Sequence, residues 1–180
     1  MTENARSPQD PLERTVLSPL TAEFRLIFES EFSSVCRSLR RLGVSESDLA
    51  DVAQELFVTV YQHFSEYNRA LPVRPWIYSF AVRFASNYRK LARHRGVGLD
   101  EVREQTAQAT GNFETRDFVL RTLDQLDEDQ RTAVVLHDME EFTAPEIASL
   151  LSIPLNTVYS RVRLGREKFR AAATRLRGDP

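Results

Sequence analysis

The sequence has little cysteine, little glycine and no long apolar run, and each shortage excludes a class of structure. Cys36 is the single cysteine, so no intramolecular disulfide can form, and no cysteine–histidine cluster offers a metal site. With 6 glycines in 180 residues and apolar residues at helical rather than alternating spacing, we predict an all-α protein without a strand pair. We expect no metal and no cofactor.

No stretch approaches the ~20 apolar residues that a membrane span needs. The first 20 residues also lack an apolar run behind a basic stretch, which is the pattern of a secretory signal. We therefore expect no membrane insertion and a cytoplasmic location.

The net charge of −2 conceals an uneven distribution. The N-terminal basic segment, residues 69–95, carries seven basic side chains and no acidic one. The C-terminal basic segment, residues 158–177, carries seven basic and one acidic. The acidic segment between them, residues 100–146, carries thirteen acidic and four basic. Because nearby acidic surface subtracts from the attraction to phosphates, we expect weak DNA binding by the free chain. The alternative is that each run is merely a solvated helix face.

Three helices are predicted in a first domain over residues 22–95, after a disordered tail at 1–21. Apolar spacing predicts a helix over 22–42 that ends at Gly43, as a glycine-capped helix does. A second helix is predicted from about 45–48 to 67. The third begins near Pro75, a residue suited to the first helical turn.

A polar, weakly periodic stretch at 96–116 predicts a flexible linker, so the two halves need not be rigidly docked. In the second domain, 117–177, Thr143 and Glu146 have capping-box spacing and open a short helix. A turn at 152–154 leads to a longer helix with a basic outer face. This order predicts a helix-turn-helix, with a plain helical hairpin as the alternative.

Motifs in both halves resemble those of the extracytoplasmic-function (ECF) sigma factors of bacterial RNA polymerase. DVAQELF at 51–57 resembles the helix that docks on the clamp of the polymerase large subunit. RPWI at 74–77, followed by the basic helix, resembles the segment that recognises and opens the minus-ten promoter element. QR at 130–131, EIA at 146–148 and TVYSR at 157–161 resemble sigma domain 4, which binds the minus-thirty-five element.

The resemblance implies sigma domain 2 at 22–95 and sigma domain 4 at 117–177. It also implies a factor that binds core RNA polymerase and promoter DNA and directs promoter recognition, melting and initiation. Members of this family often have an anti-sigma factor as a further partner. The residues expected to bind core polymerase are Asp51, Gln54 and Glu55, which would form an acidic ridge suited to a basic partner.

Two further sets of residues are predicted to bind DNA. For the minus-ten element they are Arg69, Arg74, Tyr78, Arg83, Asn87 and Lys90, while Trp76, Phe80 and Phe84 are assigned to the core. For the minus-thirty-five element they are Asn156, Thr157, Tyr159, Ser160, Arg161, Arg163 and Arg166. Arginine suits this role because it can grip guanine edges bidentately and also pair with phosphates.

Two other functions compete with this interpretation. An autonomous helix-turn-helix regulator would bind an operator without polymerase, but it would need strong DNA affinity of its own. A helical enzyme is disfavoured because His63, His94 and His137 are far apart in the sequence and no P-loop or dinucleotide fingerprint occurs. We therefore expect no catalytic residues.

Overall fold

The computed structural model describes residues 19–94 and 112–178 of the chain. These residues form seven α-helices and no strand, which confirms the all-α prediction. The helices are α1 (Pro19–Arg41), α2 (Leu49–Gln62), α3 (Val73–His94), α4 (Asn112–Asp124), α5 (Glu128–Val134), α6 (Ala144–Leu151) and α7 (Leu155–Gly178). A short 3₁₀ turn at Phe64–Glu66 follows α2, and a π-helical turn at Val135–Met139 follows α5.

The N-terminal half packs α1, α2 and α3 around a buried apolar core. One side of each helix supplies it, with Val35, Leu39, Leu56, Val60 and Ile77 fully buried. The glycine cap predicted for α1 is present: Gly43 has φ +103°, and Val44 N–H bonds back to the Leu39 carbonyl at 3.0 Å. A side chain at Gly43 would be strained by this φ, so the position favours glycine.

The C-terminal half contains the predicted helix-turn-helix. Both hydrogen bonds of the capping box between Thr143 and Glu146 are present at the start of α6. The helix ends at Ser152, whose φ of 54° turns the chain towards α7. Gly165 of α7 lies against α5, where an added Cβ would come within 2.6 Å of Val134 Cγ2. The glycine therefore sets how closely α7 approaches α5.

The helix boundaries differ from the predictions at several places. The second helix, predicted to reach residue 67, ends at Gln62 and is followed by the 3₁₀ turn at Phe64–Glu66. Residues 19–21, assigned to the tail, belong to α1, and residues 112–116, assigned to the linker, are the first residues of α4. Apolar periodicity is weak at both starts, which is why the sequence pattern placed the helices late. The predicted tail at 1–18 and the predicted linker at 96–111 lie outside the described residues.

The two halves are docked against each other. Their buried apolar residues form one continuous cluster, in which Tyr78 of α3 meets Phe142 with ring centroids 5.0 Å apart. α3 contacts α6, and α1 contacts α4. The linker composition left the relative placement of the halves open, and the structure supplies it.

Candidate nucleic-acid and protein interfaces

The predicted polymerase-docking residues lie on the outward face of α2. Asp51, Gln54 and Glu55 are all exposed. The same face continues into Val58 and Tyr61, which are 50% and 42% exposed. These two were not among the predicted docking residues, which were the polar side chains Asp51, Gln54 and Glu55 alone. Exposed apolar side chains beside an acidic ridge are typical of a protein-binding surface.

Five of the six predicted minus-ten residues lie on α3, in two groups on opposite sides of the helix. Arg83, Asn87 and Lys90 are exposed and share one helix face, since they are spaced by four and three residues. Arg83 lies over the Phe80 ring, with its Cζ 4.7 Å from the ring centroid. These three side chains form what we call the α3 DNA face.

Arg69 lies before α3 and is held by α1. Its guanidinium donates to both carboxylate oxygens of Glu23 at 2.8–3.1 Å and lies 5.3 Å from the Phe64 ring centroid. The hydrogen bond from Arg69 lowers the pKa of Glu23. Arg69 is exposed and thus accessible to DNA, but contact with DNA would break its ion pair with Glu23.

Arg74 and Tyr78 do not lie on the α3 DNA face. The structure places both between the two halves, where Tyr78 is fully buried. The expectation that Tyr78 is an exposed contact residue is therefore wrong for this arrangement. Its position four residues after Arg74 puts it on the α3 side that packs against the C-terminal half.

The assignment of Trp76, Phe80 and Phe84 to the core agrees with their packing. Phe80 is buried and Trp76 and Phe84 are half-buried, and the Trp76 and Phe80 rings meet edge to face at 5.2 Å between centroids. This aromatic packing supports the start of α3.

The predicted minus-thirty-five residues mostly share the outward face of α7. Asn156, Tyr159, Ser160 and Arg163 are exposed at spacings of three, one and three residues. We call them the α7 DNA face. Thr157 is half-buried beside this face. Tyr159 is 55% exposed, so its ring is available to a base or a phosphate.

Arg161 and Arg166 are held by acidic residues of the same half. Arg161 donates to Asp129 at 2.5 Å, and Arg166 donates to both carboxylate oxygens of Asp138 at 2.5 and 2.8 Å. The hydrogen bond from Arg166 lowers the pKa of Asp138. Both arginines therefore have structural partners that the sequence analysis did not foresee.

Glu140 is the most buried acidic side chain at the contact between the halves, with 4% of its surface exposed. Its carboxylate accepts hydrogen bonds from Arg41 at 2.8 Å, from Arg74 at 2.9 Å and from the Tyr78 hydroxyl at 2.7 Å. Burial, assisted by the neighbouring Glu140 charge, raises the pKa of Tyr78 to about 12. Tyr78 therefore stays protonated and donates to Glu140.

Glu128 forms a second polar contact between the halves. It accepts from Ser86 at 2.5 Å and pairs with Arg89 at 3.1 Å and with Arg93 at 3.0 Å, all on α3. Burial alone would raise the pKa of Glu128, but the Ser86 hydrogen bond and the arginines together lower it. Burial lowers the pKa of Arg89, and its Nε has no hydrogen-bond acceptor among the described groups. The negative charge of Glu128 opposes the effect of burial and stabilises the charged guanidinium.

Arg131 links the halves through the backbone of α1. Its Nε donates to the Arg41 carbonyl at 2.6 Å, while Nη1 donates to Asp124 at 2.7 Å. Arg89 donates to the neighbouring Leu42 carbonyl at 2.5 Å. The C-terminal end of α1 thus binds one guanidinium from each half. This end of a helix carries a partial negative charge, which favours the two positive groups.

These pairs explain the charge pattern of the sequence. Glu128 and Glu140 of the acidic segment pair with arginines of the N-terminal basic segment. Other acidic side chains of that segment pair with the C-terminal basic segment, in the pairs Asp127–Lys168, Asp129–Arg161 and Asp138–Arg166. The acidic segment therefore neutralises part of both basic segments.

Within the described residues, no helix combines the length and apolarity required to cross a membrane. In those same stretches of chain, no group of three His, Cys, Asp or Glu side chains is arranged to hold a metal ion.

Comparison with known proteins gives family matches in both halves. Residues 27–95 match Sigma-70 region 2, and residues 119–169 match Sigma-70 region 4. The ECF RNA polymerase sigma-E factor of Escherichia coli K12 is 28% identical over 139 residues, covering 69% of this chain and 73% of the relative. The sigma-E factor of Haemophilus influenzae is 28% identical over 159 residues, covering 80% and 84%.

Two solved structures share the fold. CnrH, in complex with the cytosolic domain of CnrY, is 22% identical and has a TM-score of 0.68, covering 88% of this chain and 90% of CnrH. The sigma factor RpoE from Bartonella quintana, in complex with the anti-sigma factor NepR, is 19% identical and has a TM-score of 0.69, covering 88% and 99%. At these identities the likeness concerns the fold. The two Sigma-70 regions in order on one chain, together with the sigma-E relatives, confirm the resemblance: the chain belongs to the ECF sigma factors.

Proposed function

We propose that this chain binds core RNA polymerase and directs promoter recognition, DNA melting and transcription initiation, without catalytic chemistry of its own. The observation that carries the proposal is the pair of exposed helix faces with basic and polar side chains, one in each Sigma-70 region, beside a separate acidic face on α2. The acidic face suits a basic protein surface, and the two faces with arginine or lysine and polar hydrogen-bonding groups suit DNA.

In this proposal, residues 22–95 act as sigma domain 2 and residues 117–177 as sigma domain 4. Asp51, Gln54 and Glu55 bind the polymerase, with Val58 and Tyr61 adding apolar contact area. The α3 DNA face, with Arg69, binds the minus-ten element. The α7 DNA face binds the minus-thirty-five element by inserting α7 into the major groove, which admits a helix.

Arg161 and Arg166 have a narrower role in this proposal. Because Asp129 and Asp138 hold them, they reach DNA only where a phosphate or base edge replaces the carboxylate. Their first function is to fix α7 against α5 and the π-helical turn. The specific contacts then come from Asn156, Tyr159, Ser160 and Arg163. Arg163 also pairs with a carboxylate, Glu167 at 2.8 Å, but that pair lies within α7 and is exposed on both sides, so it does not fix the helix to its neighbours.

We also propose an anti-sigma factor as a partner, since the RpoE structure of the same fold contains one. The chain would act in the cytoplasm, where core polymerase and DNA are found. Neither proposal depends on a cofactor.

Reconstituted transcription tests this function. Core polymerase, the purified chain and fragmented genomic DNA should give transcripts from defined start sites that core polymerase alone does not give. Absence of such transcripts on every template would refute the proposal. A gel shift with the isolated chain separates it from an autonomous regulator, because tight sequence-specific binding without polymerase would favour the regulator.

A further inference from the structure

We propose that the groove between α7 and the π-helical turn binds a phosphate group through Arg170, and that promoter DNA supplies this phosphate. Arg170 is not one of the residues that the sequence predicted to bind DNA. DNA as the source of the phosphate rests on the proposed function. The phosphate site itself rests on the groove and can be tested in the free chain.

The groove, which we call the α7 groove, consists of two cavities that share Arg166 and Arg170 in their walls. Their volumes are about 340 Å³ and about 280 Å³. Tyr159, Arg163 and Glu167 also line the larger cavity. Three arginines and one glutamate thus surround it, and the tyrosine adds a hydroxyl that can donate to an anion. This lining favours a negative ligand with several acceptor oxygens, which is the chemistry of a phosphate group.

Arg170 differs from the other arginines of the α7 groove because no carboxylate holds it among the described residues. Arg163 pairs with Glu167 at 2.8 Å, and Arg166 pairs with Asp138. A phosphate that binds either of these arginines must compete with a carboxylate. Arg170 can donate its guanidinium N–H groups without breaking an ion pair, and it is exposed to a ligand in solution.

An anion in the α7 groove would also offset a repulsion within the helix. Arg166 and Arg170 are one turn apart on the same helix face, at a spacing where like charges destabilise a helix. Arg163 lies three residues before Arg166, so the three positive groups follow one another along this face. A negative phosphate beside Arg166 and Arg170 is attracted to both of them.

Arg170 continues the α7 DNA face. It lies seven residues after Arg163, so the two side chains point in nearly the same direction, about 10.5 Å apart along the helix axis. A recognition helix contacts base edges with its N-terminal residues. Because the major groove is only about 12 Å wide, a side chain two turns further along α7 lies at its edge, where the phosphates are. The backbone of promoter DNA is therefore the nearest source of a phosphate.

The salt dependence of DNA binding by the holoenzyme, the chain with core polymerase, tests this source. Each phosphate contact adds about 0.9 to the slope of log affinity against log salt concentration on duplex DNA. Arg170→Ala should therefore reduce the slope by about 0.9, which is an affinity loss of about eightfold at roughly 0.1 M salt. The loss should be equal on a promoter fragment and on a random duplex, because a phosphate carries no sequence information.

Arg175→Ala is the matched control. It removes the same charge from an exposed position of α7 that also has no carboxylate partner among the described residues. Arg175 lies five residues after Arg170 and therefore points to a different side of the helix, so its slope should equal that of the parent. Arg170→Lys keeps a positive charge and should retain most of the slope. Equal melting temperatures of the variants check that α7 stays folded.

Inorganic triphosphate tests the site in the free chain, without DNA or polymerase. In nuclear magnetic resonance spectra of the chain with labelled arginine, the Arg170 Nε–H signal should shift when triphosphate is added, and the Arg175 signal should not. This shift, together with equal slopes for Arg170→Ala and Arg175→Ala on DNA, would support the phosphate site and assign it to a free phosphate ligand. A reduced slope for Arg170→Ala alone supports the site with DNA as the source.

The phosphate site and the proposed function fail in different ways. An Arg170 signal that shifts no more than the Arg175 signal, together with equal slopes for the two alanine variants, would overturn the phosphate site. A holoenzyme that does not bind promoter DNA at all would refute the proposed function, and the triphosphate titration alone would then decide whether the site exists.

Discussion

Replacing Gly165 with alanine would put a methyl group between α5 and the recognition helix α7. The added carbon would lie 2.6 Å from Val134 Cγ2 and 3.1 Å from the Gln130 carbonyl oxygen. The first atom belongs to a buried side chain and the second to a helix backbone, so neither moves without displacing the packing of α5. Overpacking of this kind costs about 1–3 kcal/mol.

Alanine also favours the helix over glycine by up to about 1 kcal/mol, which offsets part of that cost. We therefore expect Gly165→Ala to lower the free energy of unfolding by about 1–2 kcal/mol, measured by urea or thermal denaturation. At roughly 2–4 °C per kcal/mol for a chain of this size, the melting temperature should fall by about 2–8 °C.

Gly178→Ala is the matched control, because an added Cβ there meets no atom within 4 Å. It should leave the melting temperature unchanged or slightly raised. A Gly165→Ala protein as stable as the Gly178→Ala protein would show that α7 does not approach α5 as closely as described.

Three further changes test the surfaces and the contact between the halves. Asp51→Arg should weaken binding to core polymerase because it reverses the charge of an exposed residue, and it should leave the melting temperature unchanged. A pull-down or fluorescence titration measures the affinity. Unaltered affinity would remove Asp51 from the docking face. Arg163→Ala should weaken recognition of the upstream element by about 1–3 kcal/mol if it contacts a base, and a loss equal on specific and random DNA would assign it to a phosphate instead. Glu128→Gln should lower the melting temperature above pH 5. The difference from the parent should vanish as the pH falls through the lowered pKa of Glu128, since a carboxylate with a depressed pKa stabilises the fold only while ionised; a difference independent of pH would exclude the ion pairs.

Local signals in the sequence were sufficient to predict much of this structure. Gly43 marked the end of α1, and Thr143 with Glu146 marked the start of α6, because both effects act within one helical turn. The exposed faces of α3 and α7 followed from helical spacing alone. The polymerase, minus-ten and minus-thirty-five assignments of single residues remain predictions.

The contact between the halves could not be predicted in the same way. Tyr78 looked like a surface residue because its partner, Glu140, lies 62 positions away and is presented by a π-helical turn that no simple periodicity reveals. A weaker signal was present in the charge distribution, since an acidic segment between two basic ones favours internal pairing. The charge distribution indicated that the acidic segment neutralises the basic ones, but it did not identify which residues pair.

The most direct test of the account is a footprint of a promoter with core polymerase alone, the chain alone and both together. We predict protection of two elements about 25 base pairs apart when both are present, and no sequence-specific protection by either alone. Arg163→Ala should weaken the upstream footprint selectively, and Asp51→Arg should weaken both. Protection of a single site by the chain alone would contradict the central claim that its DNA faces are placed on a promoter by polymerase.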